Sequence, residues 1–313
     1  MSQITKKVEF YTATEKENDQ RVDNFLITYL KSVPKTRIYK MIRKGEVRVN
    51  KGRVKPETRI FIGDVVRIPP VTLEERDAPS LPGAYLIKLL ESSILFENDQ
   101  LIVINKPAGI AVHGGSGLDY GVVEAFRASR GEGTFLELVH RLDKDTSGCL
   151  MIAKKRGALK WLHQCLREDK VSKRYHALVE GDWPKRVRSI EAPLMKNVLK
   201  SGERMVKVSQ DGKPCRTDYR IIKLGRGYTL IEAQPITGRT HQIRVHCQFA
   251  GHPIVGDVKY WGVDRQQPEL DGCRIRLMLH AQSLTVPLEP GQRPVTFEAG
   301  YPEEFANVLE KLL

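Results

Sequence analysis

The chain lacks most of what would make it a membrane, secreted or cofactor-fed protein. Nowhere in its 313 residues does an apolar run approach the ~20 residues of a bilayer span. The segment from Met1 to Glu17 is polar, without the apolar stretch of a signal peptide, and this predicts a cytoplasmic protein. The five cysteines (Cys149, Cys165, Cys215, Cys247 and Cys273) are never closer than 16 residues. That spacing gives no CxxC pair and no zinc framework. It predicts reduced thiols serving mostly as small core hydrophobes. Neither a phosphate loop nor a dinucleotide fingerprint is present. The run His113-Gly114-Gly115-Ser116-Gly117 is glycine-rich but has no following lysine and helix start, so it reads as a flexible loop.

Acidic residues are also in short supply. Lys and Arg number 51 against 38 Asp and Glu, a net charge of +13. A field of that sign favours polyanions such as nucleic acid or an anionic membrane surface. The excess is uneven: between residues 31 and 55 stand Lys31, Lys35, Arg37, Lys40, Arg43, Lys44, Arg48, Lys51, Arg53 and Lys55, against the single acid Glu46. Val22, Phe25, Leu26, Tyr29 and Leu30 recur at helical spacing, and Pro34 opens a second helix whose buried stripe is Ile38, Met41 and Ile42. Arg37, Lys40 and Lys44 share another face, and Gly45 ends the helix. Short strands follow around Val47–Val49 and Val65–Ile68. Two helices with one cationic face and a small basic sheet make an RNA-backbone reader, with Lys35, Arg37, Lys40, Arg43, Lys44 and Arg48 as its phosphate contacts.

Pro69-Pro70, Pro79 and Pro82-Gly83 mark a linker. The expected organisation is therefore an RNA-binding domain over 1–70, a linker over 71–90 with a short helix from Tyr85 to Leu90, and a second domain over 91–313. In that domain Ile94–Phe96 and Leu101–Ile104 flank Asn98-Asp99 as a hairpin, and Thr217–Leu224 and Tyr228–Ala233 flank Gly225-Arg226-Gly227 as another. Tyr175, Ala177 and Val179 alternate along a strand. Helical stripes lie at Leu159, Leu162, Cys165 and Leu166, and at Phe305, Val308, Leu309, Leu312 and Leu313. Many strands and few helices predict an α+β fold with mainly antiparallel pairing.

Three places hold chemistry. In Val139-His140-Arg141-Leu142-Asp143-Lys144-Asp145-Thr146-Ser147-Gly148, charges crowd between apolar runs that read as buried strands. Charges held in a cleft are costly and usually serve a reaction. Spaced carboxylates can hold Mg²⁺, but no further carboxylates cluster nearby, and an Asp working without metal is the simpler reading. A kinase loop is excluded because Leu142 interrupts the His-Arg-Asp order and no DFG follows. Downstream, Thr240 and Gly251 bracket a helix on which His241, Arg244 and Gln248 share a face, so that Arg244 is aimed into a cleft. Lys173-Arg174-Tyr175 offers a strand tyrosine that is either packing or a platform for a base.

These residues carry a resemblance. Arg21 to Leu26, Arg43 to Asn50 and Gly63 to Val66 are similar to an S4 RNA-binding domain. Asn105-Lys106-Pro107-Ala108-Gly109, His140 to Gly148, Lys173-Arg174-Tyr175, Gly238 to His246, Gly251 to Ile254, Gly256-Asp257 and Leu279-His280-Ala281 occur in the order seen in the RluA/RluC/RluD family of RNA pseudouridine synthases. With its S4-like front, the chain most resembles the RluC members. The resemblance implies isomerisation of uridine to pseudouridine without metal or cofactor: the N1–C1′ bond breaks, the uracil turns, and C5 joins C1′. It implies a mixed, mainly antiparallel central sheet with flanking helices behind an S4 domain. It makes Asp143 the catalytic carboxylate, Arg244 its basic partner, and Tyr175 the ring stacked on the uracil. Arg141 would brace the space vacated by the flipped nucleotide, and Asp145 would be structural. Lys106 and His140 are left between support of the site and a purely structural role. The expected substrate is 23S ribosomal RNA, met by a cytoplasmic monomer. The rival readings are a synthase acting on another structured RNA such as tRNA, a non-catalytic S4-type ribosome-assembly protein and a metal-dependent RNA hydrolase.

Overall fold

Helices and strands alternate in short pieces along two units, Met1–Ser80 and Leu81–Leu313. The computed structural model describes residues 3–30, 33–74, 83–114, 120–131, 133–198, 204–262 and 266–313. Lys31, Pro79, Pro82 and the Gly115-Ser116-Gly117 part of the glycine-rich run lie outside the described residues.

In the first unit, helices Val22–Tyr29 and Lys35–Lys44 pack against a four-stranded sheet that includes Glu9–Thr12, Arg48–Val49 and Val65–Ile68. Val22, Phe25, Leu26, Ile38, Met41 and Ile42 are buried together with Val47, Val66 and Ile68. The second helix begins after Pro34 and ends at Gly45, whose φ of 72° needs no Cβ to avoid strain. Two elements fall within the stretch read as a linker. Val71–Glu74 pairs antiparallel with Gln3–Lys6, and helix Ala84–Ser92 belongs to the second unit. Proline marks where the previous strand stops. It says nothing about a strand that starts immediately afterwards.

The second unit is built on one sheet whose strands run in the order Ser189–Glu191, Arg216–Leu224, Tyr228–Pro235, Ser172–Glu180, Leu279–Val286, Ser147–Ala153, Leu101–Lys106 and Ile94–Glu97. Every neighbouring pair is antiparallel except Ser147–Ala153 with Leu279–Val286, which is parallel. Ser147–Ala153 is buried at all seven positions. Its alternate residues serve two cores: Leu150 and Ile152 face helix Val122–Arg130 through Val122, Val123 and Phe126, while Cys149 and Met151 face helix Arg156–Arg167 through Leu162 and Cys165. A strand covered on both faces reads as a continuous apolar run, as the residues after the charged loop do. A third cluster joins Ala177, Val179, Ile231 and Ala233 to helix Gln242–Phe249 through Ile243 and Cys247, and to the C-terminal helix Glu303–Leu312 through Phe305 and Val308. This cluster fixes the helix that carries Arg244 against the strand that carries Tyr175.

Candidate active site

Asp143 sits in the loop between strands Glu137–Leu138 and Ser147–Ala153. The Thr146 N–H donates to the Asp143 carbonyl at 3.2 Å and closes the turn. Beneath it Lys106, with no exposed surface, gives its Nζ to the carbonyls of Pro107 (2.7 Å), Ile110 (2.9 Å) and Lys144 (3.0 Å). The three donors of an ammonium are thus all satisfied. Burial still pushes the Lys106 pKa down to about 7, against the opposing pull of Asp145. Gly148 leaves the loop at φ +112°, and a Cβ there would stand 2.3 Å from the Ala281 carbonyl oxygen. Only glycine allows the parallel strand to approach so closely. His140 lines the cleft as well; its Nε2 accepts the Met151 N–H at 3.2 Å, and burial with the charge of Lys173 lowers its pKa to about 3. It is a neutral acceptor that holds the loop.

Tyr175 comes from strand Ser172–Glu180 at the point where the register against Leu279–Val286 shifts, between Arg174 and His176. Such irregularities re-aim side chains beside active sites. Burial, followed by the charge of Asp143, pushes the Tyr175 phenol well up, so it stays protonated.

The third element starts differently from the sequence expectation. Helix Gln242–Phe249 begins after His241, not after a Thr240 cap, and His241 takes a left-handed φ of 52°. The side chain of Gln242 does the holding. Its Oε1 accepts from Thr237 Oγ1 (2.7 Å) and the Arg239 N–H (3.1 Å), and its Nε2 donates to the Arg216 carbonyl (2.9 Å). Arg244, 6% exposed, then points into the cleft. Its Nη1 lies 3.3 Å from Asp143 Oδ2, while its Nε and Nη2 each lie 2.7 Å from an oxygen of Asp257. The bidentate pair available to a guanidinium is therefore made with Asp257, and Asp143 receives a single contact. Burial works against the Arg244 charge, but the hydrogen bonds and charge of Asp257, then those of Asp143, outweigh it and raise its pKa. The Tyr260 ring lies 5.1 Å from the guanidinium carbon.

Asp143, Arg244, Tyr175 and Arg141 line one cleft of about 380 Å³, joined by His241 and Lys173. The volume suits a small ligand. Arg141 is exposed at the rim, and Asp145 is exposed outside the lining. Gln248 also points to solvent, away from its expected companions His241 and Arg244. Among the described residues no three His, Cys, Asp or Glu side chains gather as a metal-binding group. In the first unit Lys35, Arg37, Lys40, Arg43, Lys44 and Arg48 are exposed, and Arg37, Lys40 and Lys44 border one hollow. Arg43 and Arg48 direct part of their guanidinium to the carbonyls of Tyr39, Gly45 and Lys51.

Asp257, named in the sequence only as part of a motif, and Tyr260, not named there at all, complete the site. The only signal was the Gly256-Asp257 pair, which has no pattern of its own. A carboxylate with one oxygen held by a guanidinium, beside a protonated tyrosine in a cationic cleft, can act as nucleophile or base on a phosphate-bearing substrate.

Residues 100–249 match the profile of the family described as RNA pseudouridylate synthase, and residues 20–66 match that of the S4 domain. The chain is 53% identical over 312 residues, 99% of its length and 96% of the relative's, to the ribosomal large subunit pseudouridine synthase C of Haemophilus influenzae. It is 51% identical over 316 residues to the Escherichia coli K12 protein of the same description, covering 100% and 99% of the two chains. Among solved structures, human RNA pseudouridylate synthase domain containing 4 matches with a TM-score of 0.61 at 27% identity over 73% of this chain and 95% of that one. Human RNA pseudouridylate synthase domain containing 1 matches with a TM-score of 0.57 at 28% identity over 71% and 86%.

Proposed function

The chain belongs to the RNA pseudouridylate synthase family, and from that premise we propose that it converts uridines of large-subunit (23S) ribosomal RNA to pseudouridine with Asp143 as the reacting carboxylate. The observation that carries the reading is the 3.3 Å contact of Arg244 with one oxygen of Asp143, inside a cleft shared with Tyr175. The family fold and the near-complete match to synthases described for the large ribosomal subunit supply the reaction and the RNA.

A uridine must leave its helix to enter such a cleft, at a cost of a few kcal/mol in lost stacking. Arg141 at the rim is suited to brace the vacated space. The Tyr175 ring is suited to stack on the uracil; because burial keeps its phenol protonated, the C5 proton released after re-attachment goes to another base. The Asp143 carboxylate starts either glycosidic route, attack on C1′ or removal of the C2′ proton. Arg244 offers it a permanently charged donor. Lys35, Arg37, Lys40, Arg43, Lys44 and Arg48 act as a sequence-independent grip on phosphates, which makes the stretch 1–70 an RNA-binding domain and 91–313 the catalytic one. The protein works as a monomer in the cytoplasm. No helix among the described residues is long and apolar enough to cross a membrane.

Mapping pseudouridines in 23S RNA by carbodiimide treatment and primer extension, with and without the gene, tests the assignment. Sites that vanish in the deletion and return with the parent gene but not with Asp143→Asn support it. An unchanged map in the deletion overturns the rRNA substrate, and a map restored by Asp143→Asn overturns the catalytic role.

A further inference from the structure

Two donors converge on the same oxygen of Asp143. Arg244 Nη1 is 3.3 Å from Oδ2, and His241 Nε2 is 3.7 Å from that oxygen too. Among the described residues the one hydrogen bond to this carboxylate, from Arg244, is made to Oδ2 and none is made to Oδ1. The identity of the His241 donor follows from its other nitrogen. Nδ1 lies 2.7 Å from Tyr260 Oη, and that oxygen already accepts the Val206 N–H at 3.0 Å. Tyr260 is 1% exposed, so its O–H hydrogen needs an acceptor, and His241 Nδ1 is the acceptor in reach. An Nδ1 that accepts leaves the ring hydrogen on Nε2, the nitrogen turned toward Asp143. Burial also lowers the His241 pKa, which favours the neutral ring. The separation of 3.7 Å is long for a hydrogen bond, but such contacts tighten when a substrate closes the site.

We propose that His241 is a positioning residue: with its hydrogen on Nε2, fixed there by Tyr260, it holds Oδ2 of Asp143 jointly with Arg244 and turns Oδ1 to the ribose. Oδ2 is the anchored oxygen and Oδ1 the working one. This rests on the reading that Asp143 reacts. Val206 lies on strand Arg204–Val208, which forms a hairpin with Leu194–Val198. The relay therefore runs from a hairpin backbone through Tyr260 and His241 to the carboxylate.

His241 also has a left-handed backbone, a conformation that His and Asn tolerate well. Two substitutions separate backbone from side chain. Gln reaches as far as Nε2 and keeps a donor there, whereas Asn suits the backbone and falls short of Asp143. His241→Gln should turn over faster than His241→Asn. The kcat of His241→Asn should fall on the order of tenfold to a hundredfold below the parent, the range for one hydrogen bond to a charged group, with KM little changed. Long-range ¹H–¹⁵N correlation of the histidine rings in the full-length parent should show hydrogen on Nε2 of His241, and Tyr260→Phe should lose that preference. A parent ring carrying hydrogen on Nδ1 overturns the proposal, as does His241→Asn matching or exceeding His241→Gln. Asp143→Asn assayed in parallel distinguishes the two possible failures. If Asp143→Asn is active, the reading beneath is wrong. If it is inactive while His241→Asn is fully active, only the role of His241 is wrong.

Discussion

Arg244 stands between two aspartates and treats them unequally: two of its nitrogens lie 2.7 Å from Asp257, and one lies 3.3 Å from Asp143. Asp257 is buried and also receives the backbone N–H groups of Lys259 and Tyr260 at 3.0 and 3.2 Å. One carboxylate is committed to holding the guanidinium, and the other is left only partly engaged.

Asp257→Asn should accordingly affect both folding and rate. Breaking a buried pair from one side costs about 3–5 kcal/mol, because the remaining charge stays buried. Urea unfolding should show a loss toward the lower end, since Asn retains one acceptor. Turnover should fall more than substrate affinity, because Arg244 loses its aim at Asp143. A variant with parental stability and kcat would show that Asp257 does not orient the arginine.

Gly148→Ala tests the seam behind the loop. With φ at +112° and the Ala281 carbonyl oxygen 2.3 Å from the new Cβ, neither conformation nor space is available. The expected loss is about 3 kcal/mol or more, combining backbone strain with an overlap that only moving a strand relieves. Denaturant titration within 1 kcal/mol of the parent, taken as roughly the scatter of ordinary substitutions, would contradict it.

Glu124 should make the fold acid-sensitive. Burial would raise its pKa, but the His113 ring, whose Nδ1 lies 3.7 Å from one carboxylate oxygen, and the donated N–H groups of Gly114 and Gly121 bring it down to about 2, from an ordinary 4.5. A carboxyl lowered on folding contributes stability that is fully present above pH 4.5 and is lost as the pH falls from there toward 2. The side chain is about a third exposed (32%), so solvent reduces the effect, and about 1–2 kcal/mol is expected. The stability gap between parent and Glu124→Gln, measured in urea at about pH 6 and about pH 3.5, should shrink on acidification. A constant gap would mean that the ionised form contributes nothing.

The cationic helix makes a prediction about salt. Replacing Lys35, Arg37, Lys40 and Lys44 with Gln should weaken rRNA binding and flatten its dependence on salt, by roughly 0.7–0.9 in log–log slope for each phosphate contact removed. An unchanged slope would assign these side chains to solvent.

Legibility in the sequence followed the range of the interaction. Helices whose apolar stripe is local, such as Lys35–Lys44 with Ile38, Met41 and Ile42, were visible. Helix Val122–Arg130 was not, because Val122, Val123, Ala125 and Phe126 form a compact knot beside a glycine-rich run, without a repeat. The strand Leu279–Val286 was hidden by His280, a buried polar residue whose partners are Ser147, far away in sequence, and the carbonyl of Ala299, just past the strand Val295–Glu298. Asp143, Tyr175, Arg141 and Arg244 stood out through their motifs. Asp257 and the role of His241 did not, since a carboxylate's commitment to one arginine, or a tautomer set by a tyrosine, depends on contacts that no spacing encodes.

The parallel seam between Ser147–Ala153 and Leu279–Val286 also sets a timetable for the newly made chain. The loop bearing Asp143 is anchored to a strand translated more than a hundred residues later. At ordinary elongation speeds that interval is on the order of ten seconds or more. Throughout it the nascent polypeptide carries its aspartate without a cleft around it. On the ribosome, therefore, this loop stays without its parallel neighbour until Leu279–Val286 has emerged.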